Sequence, residues 1–556
     1  MITDIFNLRI FRLSRVLIVL GLLFFHFIDH GSAKPEHFND ITKELGLDFR
    51  HVSGFSDQRH FVETIGSGGA LFDFDNDGDL DLYLVQGNYI TQLDQSLTNK
   101  LYRNDGDQLI NVTEKSGLGD SQYGLGVIVG DYDGDGFRDL YLTNFGPNIL
   151  YRNNGNGTFS DVTQQAGATC SDFSTSAAWT DIDSDGDLDL YICNYVSYEI
   201  ENEKRCFFKD IPIYCGPVEY SGVSDRLFQN NGDGTFSDIT ISAGIYEPDS
   251  RGLGVVCSDL NNDNWIDIYV ANDMNKNNIY INQKDGTFVE EGVLRGVAYD
   301  GEGLINASMG VDARDYDNDG DVDLWVTNFS LEANCLLVND GTGYFEDLSF
   351  DLGLAKPSFH LLGFGTLFMD YDHNGWPDLV VGNGHIWDNV HLIDTTMTYA
   401  QPLQMFDNKS GKFEERKFST NLLPANYVVR GLIRGDIDND GDLDLIVCQS
   451  NRPTVILRND LGNLKSWIMF RLIGKSKNTD AIGARIRIST NGLTQTSEVI
   501  SGSSYLVSND IRLHFGLGDV DVVEEVNIRW PDGSEQILNN IPARQILTLE
   551  QPENLE

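Results

Sequence analysis

The sequence predicts an all-β protein: a seven-bladed β-propeller with an N-terminal strand closing the last blade, followed by a small C-terminal β-domain. Three observations carry that prediction. An acidic stretch, first met as DFDNDGDLDL (Asp73 to Leu82), occurs in seven copies. Strand, polar corner and second turn follow each copy. The seventh unit lacks its last strand, and a segment near the start of the chain supplies it.

Arg9, Arg12 and Arg15 precede the apolar run VLIVLGLLFFHFI (Val16 to Ile28), and Gly31, Ser32 and Ala33 follow. This is the layout of a secretory signal over residues 1–33, cleaved after Ala33. An uncleaved membrane anchor is the rival reading, disfavoured because the run is shorter than the roughly 20 residues a span needs. No later segment is apolar enough to cross a bilayer. The mature chain is therefore expected to be secreted, whether extracellular, periplasmic or at a cell surface, without an integral span.

HFNDITKELGL (His37 to Leu47) matches FSDVTQQAGA (Phe159 to Ala168) and FSDITISAGI (Phe236 to Ile245), which close internal units. The seventh unit runs TVILRNDLGN and then enters SWIMFRLIG without such a strand. The N-terminal strand is thus expected to complete the last blade.

Between these ends the acidic copies begin at Asp73, Asp131, Asp181, Asp259, Asp315, Asp370 and Asp436. Self-similarity at this period marks a repeated supersecondary unit. Positions 1, 3, 5 and 9 are Asp or Asn, position 6 is Gly in six copies, and positions 2 and 10 are mostly apolar, as in Phe74 and Leu82. Flanks such as GALF and LDLYLV alternate like strands. Second turns recur in NKLYRNDGDQLINVTEKSGL, NILYRNNGNGTFSDVTQQAGA, DRLFQNNGDGTFSDITISAGI and NNIYINQKDGTFVEEGVLRGV. Each unit offers four strands, and radial repetition of such units protects their edges.

Composition narrows the partners. With 41% hydrophobic residues the chain can bury a core, and its net charge of −46 disfavours nucleic acid and favours cations. Of the seven cysteines, Cys206 and Cys215 share the loop RCFFKDIPIYCG and are expected to pair. The other five lie in or beside apolar runs and read as buried thiols.

Alternating carboxylates around a Gly bend supply the six or more oxygens that Ca²⁺ takes at about 2.3–2.6 Å. In the first copy side-chain ligation falls to Asp73, Asp75, Asp77 and Asp81, with the Asp79 carbonyl as fifth donor. The second and third copies place Asp131, Asp133, Asp135 and Asp139 with the Phe137 carbonyl, and Asp181, Asp183, Asp185 and Asp189 with that of Asp187. The fourth and fifth place Asp259, Asn261, Asp263 and Asp267 with Trp265, and Asp315, Asp317, Asp319 and Asp323 with Asp321. In the sixth and seventh stand Asp370, Asp372, Asn374 and Asp378 with Trp376, and Asp436, Asp438, Asp440 and Asp444 with Asp442. Up to seven Ca²⁺ sites follow. Mg²⁺ retains more water and is the weaker candidate. An EF-hand would need Glu at position 12, where the first copy has Leu84.

These repeats resemble the FG-GAP or VCBS units of integrin α-chain propellers, a resemblance that itself implies Ca²⁺ in the loops. AIGARIRI (Ala481 to Ile488), HFGLGD (His514 to Asp519) and IRWPDGSEQIL (Ile528 to Leu538) resemble the ASPIC/UnbV domain that follows such propellers in the cartilage acidic protein family. The implied layout is a propeller over residues 34–463 and a β-domain over 464–552, a small sandwich or barrel docked on the propeller. Asn261 and Asn264 in the fourth copy and Asn374 in the sixth depart from the pattern, so those sites are expected to bind more weakly.

Blade topology puts the acidic hairpins and the NGDGTF turns on one face. The opposite face collects irregular loops: residues 51–63, an insert over 195–225, ANDMNKNN (271–278) and GNGHIWDNVH (382–391). Its candidate ligand residues are His51, His60, Asn272, Asp273 and His385, with His391 nearby. Asn144, Asn194, Asn272, Asn328 and Asn383 also fit ordinary strand-end turn chemistry. Two functions follow: a non-catalytic binding or adhesion scaffold for an extracellular protein or glycan, or a polysaccharide lyase or hydrolase working on the loop-rich face. The absence of G-x-S-x-G and H-E-x-x-H favours the scaffold.

Overall fold

The computed structural model describes residues 38–416, 426–460, 465–475 and 477–553. The expected signal segment lies outside them. The fold is all-β, and among the described residues the helices are limited to single turns such as Thr113–Ser116. Among the described residues no helix is long and apolar enough to cross a membrane.

Seven sheets repeat one pattern of four antiparallel strands. The second is typical: Gly124–Gly130, Asp139–Asn144, Ile149–Asn153 and Phe159–Asp161, with the acidic hairpin joining its first two strands. In the last sheet Val429–Gly435, Asp444–Gln449 and Val455–Asn459 are followed by Phe38–Asp40, paired so that Phe38 faces Asn459 and Asp40 faces Leu457.

First strands of successive sheets lie side by side, and Val429–Gly435 of the last touches Gly69–Phe72 of the first. Their crowding explains their glycines. A Cβ at Gly310 would collide with the carbonyl of Phe364 on the next first strand, and one at Gly254 with that of Met309.

A second device joins neighbouring sheets. The Asn ending each third strand turns its Nδ2 to the preceding sheet, onto the carbonyl of hairpin position 2. Asn153 reaches Phe74 at 2.8 Å, Asn230 reaches Tyr132 at 2.9 Å and Asn339 reaches Leu260 at 2.8 Å. Asn282, Asn408 and Asn459 repeat the bond to Ile182, Tyr316 and Tyr371, and Asn104 of the first sheet donates to Ile437 of the last at 2.8 Å. Apolar clusters fill the wedges between sheets, as where Leu82 and Leu84 meet Ile433 and Ile446.

The C-terminal region forms two further sheets. Ser466–Ile473 lies between Leu513–Gly518 and Ile546–Glu550, while Arg485–Thr490 and Val522–Arg529 lie between Leu493–Glu498 and Glu535–Pro542. Phe470, Phe515, Ile486, Val526 and Trp530 form their shared core.

This unit sits on the acidic-hairpin face. Arg138 pairs with Asp480 at 2.8 Å, Lys477 with Asp187 at 3.2 Å and Arg529 with Asp259 at 3.3 Å. From it, residues 499–510 run in among the first strands of the repeat sheets. Val507–Ser508 adds a parallel strand to Gly69–Phe72, Ser504 and Val311 exchange backbone hydrogen bonds, and the Leu506 carbonyl accepts from Val127. The Ser504 hydroxyl donates to the Leu432 carbonyl at 2.9 Å and accepts from the Thr366 N–H at 3.0 Å. Sequence reading expected a docked domain and did not foresee this central plug. SGSSYLVSND carries no repeat signal, and its partners are first strands of several different sheets.

Candidate functional site: acidic hairpins and loop-lined mouth

Local backbone shape dictates the hairpin residues. Position 4 is left-handed, with φ of 59° at Asn76 and 71° at Gly134, a conformation Asn and Gly tolerate. Position 6 is left-handed too, at 99° for Gly78, and Asn264 takes the same region at 71° in the fourth copy.

The carboxylates divide the work by position. Asp73 accepts the N–H groups of Asp77 and Gly78, both at 3.1 Å, and so shapes the loop. Asp81 accepts from Phe74 at 3.1 Å and from Asn104 at 2.8 Å, tying the hairpin to the third strand. Asp75 Oδ1 is buried without a protein partner, as are Asp133 Oδ1, Asp183 Oδ1 and Asp317 Oδ1. One oxygen each from Asp73, Asp75 and Asp81 lies within 4.8 Å of the others, and the triads 131/133/139, 181/183/189, 315/317/323 and 370/372/378 repeat this. These groups could hold a metal ion. Position 5 stands outside the triads: Asp77 instead accepts the Asp79 N–H at 3.0 Å.

Burial pushes the Asp81 carboxyl up to about 8 and Asp139, Asp189 and Asp323 well above the carboxylate range. For Asp315 burial leads and the neighbouring Asp319 and Asp317 add, raising it to about 7. Grouped carboxylates in this state need protons or cations to neutralise them. Orphaned oxygens of an all-oxygen donor set fit a hard divalent ion.

Two copies differ, as their sequences do. At the fourth hairpin, where Asn261 replaces an acid, Arg529 stands 3.3 Å from Asp259 and Lys284 3.3 Å from Asp263, so protein cations balance part of its charge. At the sixth the acidic triad survives while Asn374 Oδ1 accepts the Trp376 N–H at 2.7 Å.

Away from the hairpins, several of the irregular loops meet around one cavity mouth. The 195–225 insert contains the hairpin Cys206–Phe208 and Ile211–Ile213, and Cys206 and Cys215 are joined by a disulfide. A cavity of about 190 Å³ lies here, lined mainly by apolar and aromatic side chains, among them Phe61, Tyr195, Leu253, Met309, Phe329, Phe364 and Trp387, with Asp273 the carboxylate among them. The Tyr195 hydroxyl donates to Asp273, whose carboxyl is raised to about 6 by burial, opposed by that bond and by Arg251. Tyr505 of the plug packs on Phe364, ring centres 5.1 Å apart.

The candidate histidines are each fixed by a different partner. His51 Nδ1 accepts the Asn451 N–H at 3.3 Å, His385 Nδ1 accepts that of Trp387 at 3.0 Å, and His60 Nδ1 lies 2.9 Å from Glu203 Oε2. Burial, reinforced by Arg430, lowers both His51 and His385 to about 3, so both are neutral. His391 is exposed. Asn272 is saturated, donating to Lys276 O and Asn278 Oδ1 and accepting from Ser250 and Arg251, which is strand-end turn chemistry. Sequence reading missed the buried Arg430, which donates to Thr64 O at 2.6 Å and lies 4.1 Å from the Phe364 ring centre. The one signal was an Arg inside the apolar strand VVRGLI.

Fold and site together define an all-β protein of repeated sheets whose hairpins gather acidic groups able to hold metal ions. Family models give that class a name. The FG-GAP-like repeat model matches residues 73–142, 131–192, 213–270, 259–326 and 370–447, and the ASPIC and UnbV model matches 474–556. The chain belongs to the FG-GAP-like repeat family and carries an ASPIC and UnbV domain. Cartilage acidic protein 1 of Homo sapiens is 25% identical over 348 residues, covering 60% of this chain and 42% of that protein. Its Mus musculus counterpart is 26% identical over 335 residues, covering 57% and 41%. The chain thus spans less than half the length of these relatives. Among solved structures, an Agrocybe aegerita lectin that recognises non-reducing terminal N-acetylglucosamine aligns at TM-score 0.37 and 17% identity, covering 66% of this chain and 89% of that one. The rhamnogalacturonan lyase YesW aligns at 0.35 and 12%, covering 71% of each chain. At such scores neither likeness bears on function.

Proposed function

We propose that this protein is an exported, calcium-stabilised binding scaffold. Residues 34–463 form a seven-bladed β-propeller closed by the N-terminal strand, 464–552 form the β-domain, and the signal peptide ends at Ala33. Ca²⁺ is held between positions 1, 3 and 9 of the acidic hairpins, with position 5 and the position 7 carbonyl completing the sphere as the ion draws the loop in. An extracellular protein or glycan is recognised on the face opposite the hairpins.

The observation that carries this reading is the seat of the C-terminal domain. It covers the hairpin face, with Arg138, Lys477 and Arg529 engaged there, and leaves the loop-lined mouth open. Variable loops on a rigid scaffold are where ligands usually bind. A lyase or hydrolase would use His51, His60 and His385 together, and their separate partners and the neutral state of two of them argue against that use.

The test is capture of a partner from the native extracellular fluid in millimolar Ca²⁺ by two variants. Shortening the 195–225 insert should abolish capture, and Asp75→Asn should preserve it. Loss of capture by a folded Asp75→Asn protein would make the hairpin face the recognition surface and overturn the proposal.

A further inference from the structure

We infer that the mouth cavity is a receptor site for a quaternary ammonium group, with aromatic walls around its methyl groups and Asp273 balancing its charge. The inference rests on the loop-bearing face being the recognition face, and names the chemistry that face reads.

Five aromatic side chains from separate loops and strands line the cavity: Phe61, Tyr195, Phe329, Phe364 and Trp387. Phe61 and Tyr195 stack at 5.4 Å with 18° between planes, and Phe329 meets Trp387 edge-on at 6.2 Å. Aromatic faces carry the negative part of the ring quadrupole, so several around one space favour a cation. Asp273 lines the same space, anchored by the Tyr195 hydroxyl.

The kind of cation follows from hydrogen-bond supply. A lysine ammonium brings three donors and a guanidinium five. The lining side chains offer one carboxylate, already accepting from Tyr195, and a Thr64 hydroxyl already donating to the Phe61 carbonyl at 2.9 Å. Burying unmet donors costs affinity, and a trimethylated ammonium has no N–H to satisfy. A neutral apolar guest would leave Asp273 unused, and a sugar would find too few polar partners. Neither neighbouring arginine lines the cavity, but both take a share of its groups: Arg430 lies 4.1 Å from the Phe364 ring centre, and Arg251, which donates to the Met274 carbonyl at 3.4 Å, offsets part of the Asp273 charge. Phe61, Tyr195, Phe329 and Trp387 and the rest of the Asp273 charge are left for the guest cation. The net charge of −46 raises the local concentration of any cation.

The test is calorimetry on the full chain in millimolar Ca²⁺ with choline, its neutral carbon isostere 3,3-dimethylbutanol, and phosphocholine. Choline should bind, the isostere should bind at least tenfold more weakly, and phosphocholine should be weaker than choline because its phosphate faces Asp273. Asp273→Asn, which keeps an acceptor for Tyr195, and Trp387→Leu should each weaken choline at least tenfold. No choline binding, equal binding of the isostere, or tighter phosphocholine binding overturns the inference. Failure of choline to bind, with partner capture still lost on shortening the 195–225 insert, would leave the face assignment standing while the ammonium site falls.

Discussion

Replacing Tyr505 tests whether the central plug is structural. Its ring is fully buried, stacks obliquely on Phe364 at 5.1 Å, and its hydroxyl donates to the Ile65 carbonyl at 3.2 Å. Removing a buried aromatic side chain costs about 3–5 kcal/mol, and the hydrogen bond adds about 1 kcal/mol. The mouth cavity beside Phe364 lets water enter the gap, which favours the lower end. Tyr505→Ala should therefore cost about 4 kcal/mol, and Tyr505→Phe, which keeps the ring, about 1 kcal/mol. Urea unfolding in saturating Ca²⁺ reads both, with separate probes on the repeat sheets and on the C-terminal domain. The plug bonds to the first strands of several sheets, so the repeat-sheet transition should move. If Tyr505→Ala shifts only the C-terminal domain, or costs no more than Tyr505→Phe, the plug does not brace the ring.

Asn339→Ala removes the donor to Leu260 O at 2.8 Å and Val322 O at 3.0 Å and should cost about 2–3 kcal/mol in the same assay, a loss under 0.5 kcal/mol refuting the clamp. EDTA should lower the melting temperature of protein shown beforehand to contain calcium, since an ion that binds only the folded state adds about 2.7 kcal/mol per site at 100-fold saturation; an unchanged melt refutes calcium stabilisation. Deleting residues 37–47 strips the partner from Val455–Asn459 and bares its edge, so light scattering should show aggregation, whereas a monomer with unaltered melting refutes closure by this strand.

What the sequence displayed and what it hid follow one physical rule. Local, repeated chemistry was legible: alternating acids, the Gly bend and the F-x-D-[IV]-T strand are each set by neighbours within a few residues. The strand Phe38–Asp40 was legible only because two internal units, at Phe159 and Phe236, supplied the template for the missing one. Long-range contacts were not. The Asn ending LYRN, LFQN and LLVN stood in plain view, yet its bond runs to another sheet, so period alone could not assign it. Tyr505 has no repeat to belong to, and Arg430, on the first strand of the last sheet, stands where other units have apolar or small residues such as Leu253 and Phe364. Among the carboxylates, pattern marked the ligating loop but not the division between loop-shaping Asp73, strand-tying Asp81 and unpartnered Asp75.

That division explains how so acidic a face can also be an interface. Position 1 is stabilised by backbone N–H groups and position 9 by the third strand, which leaves position 3 to be balanced from outside the hairpin. In four copies its oxygen is buried and unpartnered, the place a divalent ion would occupy. In the fourth copy the position 3 acid is Asn261, and there a cation of the C-terminal domain, Arg529, approaches Asp259. On the proposed reading a metal ion would meet this demand in the acidic triads, while cations of the C-terminal domain meet part of it directly, Arg529 at the fourth hairpin and Lys477 at the third. A face covered in this way is the weaker candidate for recognition, which the proposal puts on the other side. The two sides still touch: the segment that leaves the C-terminal domain carries Tyr505, near its middle, against Phe364, a wall of the mouth cavity. A packed path of this kind transmits a change only if it has two arrangements for a ligand to choose between. With Ser504, Tyr505, Leu506 and Ser508 each bonded to the ring, the plug is held in one, so it acts as a brace between the faces and not as a switch.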